Sequence, residues 1–106
     1  MLLKVNTSNT DHSGITAINV GNMVGMNTVG VDRLDIIFNR GYAEKDSVFS
    51  FKINPNTGDT VMKCINNHVA KHVVGNTGFL CTLFDNFSNY RCCADMIGVS
   101  VKTRKV

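Results

Sequence analysis

Cys64, His68 and His72 recur at i, i+4 and i+8 within the stretch Pro55 to Asn76. Thiolate and imidazole are the donors that a borderline-soft divalent metal takes, and i, i+4 spacing on a helix can place two of them on one ion. All three cannot share one ion. At 1.5 Å of rise per residue, Cys64 and His72 stand about 12 Å apart. A further ligand would have to come from Cys81, Cys92 or Cys93, and no paired-cysteine spacing of the zinc-module kind occurs. The spacing therefore predicts a semi-polar helix flank packed against a sheet, with no metal and no other cofactor.

Catalytic chemistry finds less support. A cysteine or serine nucleophile needs its base within hydrogen-bond reach, and no spacing in the chain specifies such a pair. The carboxylates Asp32, Asp35, Glu44, Asp46, Asp59, Asp85 and Asp95 fall mostly in turns or on outward strand positions, where they read as solvating charges. Gly21, Gly25 and Gly30 lack the helix and lysine of a phosphate-cradling loop. The expectation is a protein that is not an enzyme. The four cysteines come without an export signal, which predicts reduced, half-buried thiols. Adjacent Cys92 and Cys93 on one strand would point to opposite faces.

Nucleic-acid chemistry rests on two groups. Asn39, Arg40 and Tyr42 share a loop, and a stacking plane beside a hydrogen-bonding amide is a common way to hold single strands. Lys102, Arg104 and Lys105 make a basic cluster near the C-terminus that could contact phosphates. A net charge of +3 is compatible with a polyanionic partner but well short of a strongly basic binder. Ordinary loops and solubilising tails carry the same residue types.

These residues need elements to position them. Over Pro55 to Asn76, Val61, Met62, Ile65, Val69 and Val73 fall on one face of a helix spanning about 59–73. Asp59 is the expected N-cap and Gly75 the stop. The rest reads as short strands: Leu2 to Val5, Ile15 to Val31 interrupted by glycines, Leu34 to Phe38, Ser47 to Ile53, Phe79 to Phe84 and Tyr90 to Val101. Glycines within strand-like sequence mark bulges or bends. The sum is a mainly β single domain, 1–106, with one helix: a small, strongly bent antiparallel sheet or barrel of Sm-like or SH3-like kind. The helix stripe and the Phe49, Phe51, Ile53 face are the expected core partners. Hydrophobic residues make up 43% of the chain, enough for a packed core. The short apolar N-terminus and the absence of a long apolar run predict a soluble, cytoplasmic protein with no membrane contact.

At Ile36-Ile37-Phe38-Asn39-Arg40-Gly41 an apolar strand runs into Arg-Gly. This resembles the second signature of Sm-like RNA-binding proteins, small bent barrels that assemble into rings. The whole chain also resembles small ocean-metagenome proteins of apparent cyanophage origin that carry an Sm-like barrel. The resemblance implies a ring-like homo-oligomer that binds single-stranded RNA or DNA, with Asn39 and Arg40 at its site, in the cytoplasm of a host cell. Sm-like proteins usually carry their helix at the N-terminus, whereas here it lies mid-chain. The alternative expectation is a phage structural or assembly protein that self-associates through apolar strands without binding nucleic acid.

Overall fold

Alternation decides which way each strand faces. In Arg33–Phe38, Leu34, Ile36 and Phe38 are buried while Arg33, Asp35 and Ile37 are partly exposed, as a period of two requires of a sheet with one wet face. The computed structural model describes residues 1–7, 14–39, 46–75 and 80–104. Its strands are β1 (Leu2–Asn6), β2 (Ile15–Asn19), β3 (Met23–Val29), β4 (Arg33–Phe38), β5 (Asp46–Ile53), β6 (Leu80–Asp85), β7 (Tyr90–Arg91) and β8 (Met96–Arg104), with one helix, α1 (Gly58–Gly75), between β5 and β6. The class is mainly β with one helix, as the sequence predicts.

The strands form two four-stranded sheets, β2-β1-β6-β7 and β3-β4-β5-β8. The second is antiparallel throughout. In the first, β1 and β6 run parallel, because the chain between them travels through the other sheet and the helix before returning. Among the described residues the sheets do not close into a single barrel.

Two glycines do the bending foreseen for them. The β3–β4 register shifts between Met23 and Gly25, leaving Val24 as a bulge. Gly30 takes φ +63° in the turn into β4, a conformation that costs glycine little. Asn56, at φ 64°, completes the Asn54-Pro55-Asn56 turn that leads into the helix. Hydrogen bonds from Asn54 N to Asp95 O (2.9 Å) and Asn56 N to Val31 O (2.8 Å) hold that turn to two other loops.

The helix begins one residue before the predicted start. Thr57 O accepts from Val61 N at 2.9 Å, opening the ladder, so Asp59 lies in the first turn and does not cap it. Negative charge there still complements the helix dipole. Val61 and Ile65 are fully buried, and Met62 and Val69 pack against the core. Val73, predicted on the same stripe, is 63% exposed; the sheets reach under the first turns of the helix but not as far as Val73. The core itself joins both sheets and the helix: Leu3, Val5, Ile18, Leu34, Ile36, Phe38, Phe49, Phe51, Ile53, Leu83 and Met96 form one cluster with Val61 and Ile65. Phe38 and Phe49 meet edge to face with ring centroids 4.7 Å apart.

One predicted strand is broken. Tyr90 to Val101 does not run through: β7 ends at Arg91, and a turn precedes β8 at Met96. That turn carries Cys93 inward beneath α1, where it forms a disulfide with Cys64, 29 residues away in sequence. The expectation of four reduced thiols is thereby corrected. It rested on the lack of an export signal, whereas the break between β7 and β8 is what brings Cys93 to the helix. Cys81 and Cys92 are free.

Candidate functional site

The wet face of the β3-β4-β5-β8 sheet gathers charge. Register places Arg33 beside Lys52 and Lys52 beside Gly98, Asp35 beside Ser50 and Ser50 beside Ser100, and Val48 beside Lys102. All lie on the side of the sheet away from Leu34, Phe49 and Phe51. Small residues here, Ser50, Gly98 and Ser100, leave a groove of about 440 Å³ that Asp32, Arg33, Lys52 and Lys102 also line. Arg33 is held by Asp35 in a two-pronged pair at 3.2 Å, and Ser50 Oγ donates to the same carboxylate at 2.7 Å. Arg33 is thus partly neutralised, and among the described side chains Lys52 and Lys102 are the exposed cations of the groove.

The sequence-predicted residues distribute unevenly. Lys102 lies on this groove, and Arg104 ends β8, opposite Asp46. Asn39 is exposed just after β4, its backbone N donating to Asn22 O at 2.7 Å. Arg40, Tyr42 and Lys105 lie outside the described residues. Arg33 and Lys52 were not singled out from sequence. Their signal was present in the alternation that turns them to the same face as Lys102, but pairing of β5 with both β4 and β8 is what brings them together.

An exposed aromatic turn stands elsewhere, between β6 and β7. Phe87 is 68% and Tyr90 40% exposed. Asp85 organises the turn by accepting from Phe87 N at 3.0 Å and Ser88 N at 3.1 Å. These backbone donors, Ser88 first, hold the Asp85 carboxyl below its usual range.

The second gathering of reactive side chains lies between α1 and β6. His68, His72 and Cys81 each present a donor atom, and these atoms lie within 4.8 Å of one another. The sequence grouped the two histidines with Cys64; the fold gives Cys64 to the disulfide and brings Cys81 in its place. His68 Nε2 is 3.0 Å from Thr82 O, and His72 Nδ1 is 2.9 Å from His68 O. The rings meet edge to face with centroids 4.6 Å apart. Burial first of all, opposed by the Thr82 carbonyl and aided by His72 and Lys71, lowers the His68 pKa. Burial also raises the Cys81 thiol and pushes Cys92 up to about 12, with Cys81 contributing.

Comparison with protein-family models, with curated proteins and with solved structures returns no match. Among the described residues, no helix is long and apolar enough to cross a membrane. The functional reading therefore rests on the two side-chain constellations.

Proposed function

We propose that this chain is a non-catalytic binder of single-stranded RNA or DNA that works as a symmetric homo-oligomer, with the groove of the β3-β4-β5-β8 sheet as its contact surface. The observation that carries the reading is the exposed pair Lys52 and Lys102 flanking a groove floored by Ser50, Gly98 and Ser100. Small residues let a chain of phosphates approach the sheet closely, and lysines supply the counter-charge. The Sm-like resemblance at Ile36 to Gly41 points to the same partner class, and Asn39 follows the central strand β4 directly. One subunit with net +3 makes a weak field; several copies around an axis would add theirs.

A structural or assembly role without nucleic acid is the second reading, favoured by apolar side chains exposed on the edge strands, Ile15 on β2 at 54% and Val24 on β3 at 68%. Unpaired strand edges with apolar groups invite pairing with another copy.

Fluorescence anisotropy with labelled single-stranded and duplex oligonucleotides at two salt concentrations, alongside light scattering, separates the two. The nucleic-acid reading expects tighter binding to single strands, weakening as salt rises. Lys52→Ala and Lys102→Ala should each lower the salt slope by about 1. Gly98→Glu should abolish binding without harming the fold, because a Cβ there meets only Lys52 Cβ, at an ordinary 3.7 Å. An oligomer that binds neither oligonucleotide at low salt ends the proposal and leaves the assembly role.

A further inference from the structure

We propose that His68, His72 and Cys81 form a binding site for a divalent transition metal of zinc's chemical class, fastening α1 to β6. The proposal is independent of the nucleic-acid reading and stands on donor chemistry, ring orientation and access.

The donor set is two imidazoles and one thiol, the mixed nitrogen–sulfur environment that zinc prefers over calcium or magnesium. The three donor atoms, within 4.8 Å of one another, need to close by only about 1 Å, since tetrahedral Zn–N and Zn–S bonds near 2.1 and 2.3 Å put ligand atoms roughly 3.5 Å apart. Two of the donors sit one helical turn apart on α1 and the third near the start of the following strand.

Ring orientation is the more specific observation. A carbonyl oxygen only accepts. His68 must therefore carry its proton on Nε2, donating to Thr82 O, and His72 must carry its proton on Nδ1, donating to His68 O. In the neutral ring this tautomer leaves the other nitrogen, Nδ1 of His68 and Nε2 of His72, as the one with a lone pair for a metal. A metal-bound histidine characteristically donates its remote N–H to a backbone carbonyl in this way, which fixes the tautomer and turns the basic nitrogen to the ion. Here both histidines are so held by backbone groups that are themselves part of α1 and β6.

Access and the remaining coordination position come from the helix flank. His68 lines an open groove of about 370 Å³ together with Lys63, Asn67, Lys71 and Cys92. Of the three donors only His68 lines this groove; His72 is half-buried beside it and Cys81 fully buried behind both, so an ion would approach from the histidine side, where water could complete a four-coordinate shell. Lys71 and Lys63 face the groove and oppose a cation, so an anion accompanying the ion is expected to neutralise them. Cys81 enters as a thiol and leaves its proton to solvent when the metal–sulfur bond forms, so no oxidant or reductant is consumed.

Cobalt(II) titration of the full chain, in anaerobic buffer without reductant so that the Cys64–Cys93 disulfide stays intact, tests the site. The expected result is one equivalent bound per chain, a thiolate-to-cobalt charge-transfer band with the d–d intensity of a tetrahedral site, and displacement of cobalt by zinc. Cys81→Ser should remove the charge-transfer band, His72→Ala should weaken binding at least tenfold, and Cys92→Ser should leave both unchanged. His72 is only half-buried, so its variant reports on the site even if the buried Cys81→Ser fails to fold. Absence of the band in the wild-type chain, its survival in Cys81→Ser, its loss in Cys92→Ser, or wild-type affinity in His72→Ala would each overturn the assignment.

Discussion

Ile65→Ala tests how the helix is joined to the sheets. Ile65 is fully buried in the cluster that unites Leu34, Phe49 and Leu83 with α1. The substitution removes three carbons, and at about 0.8 kcal/mol per buried methylene the lost transfer energy is about 2.4 kcal/mol. The cavity left among rigid β-strand neighbours adds to this, which places the total near 3.5 kcal/mol within the usual 2–5 kcal/mol for such truncations. In a domain of this size each kcal/mol moves the melting midpoint by roughly 4–8 °C, so a fall of about 15–25 °C is expected. Val73→Ala is the decisive partner, because periodicity puts Val73 on the same stripe whereas the fold leaves it 63% exposed. Its effect should stay within about 0.5 kcal/mol, as for other surface positions. Urea and thermal melts followed by circular dichroism give both values. Equal losses for the two variants, or a negligible loss for Ile65→Ala, would refute the account of the helix as docked through its first turns.

Three further outcomes follow from particular contacts. Thiol titration of the denatured, unreduced protein should find two reactive cysteines, Cys81 and Cys92; opening the Cys64–Cys93 link, which closes a loop of 29 residues, should cost about 3–4 kcal/mol by loop entropy, and four thiols without reductant would contradict it. Gly58→Ala should destabilise by roughly 1–3 kcal/mol, since the new Cβ would stand 2.5 Å from Thr28 Cγ2; combining it with Thr28→Ala should recover most of the loss, and additive losses would show that the clash is not the cause. Asp85 binds its proton less readily in the fold than in the unfolded chain, so its contribution is present above the ordinary carboxylate pKa and lost as pH falls through the lowered one; the protection of the Phe87 and Ser88 amides, taken relative to intrinsic exchange at each pH, should fall across that acid window, and Asp85→Ala should abolish that change in protection.

Alternation along a strand and a 3.6-residue stripe on a helix are local signals, and the elements they announce are present: Leu34–Phe38, Ser47–Ile53 and the helix each appear within a residue or two of their predicted bounds. What the signals do not carry is which element lies against which. The chain from Tyr90 to Val101 reads as one strand because its composition suits one, yet the turn at Cys92 to Asp95 interrupts it, where Asn54 N and Nδ2 bond the Asp95 backbone and side chain across 41 residues. That interruption turns Cys93 to the helix and takes Cys64 out of the histidine stripe. The parallel pairing of Leu3 with Cys81 in β1 and β6 then sets Cys81 facing the core side of its sheet, on the side where α1 packs. His68 and His72 were legible as a pair four residues apart; Cys81 was only one of three further candidates, because periodicity within a helix does not say which strand lies against it. The same limit explains the sheet groove. Lys52 and Lys102 are fifty residues apart in the chain, and only the β5–β8 register, which opposes Lys52 to Gly98 and Val48 to Lys102, makes them the two flanks of one surface. Both constellations are products of strand pairing, so a single register slip in β6 or β8 would turn Cys81 or Lys102 to the opposite face and dismantle its site while leaving every local element intact.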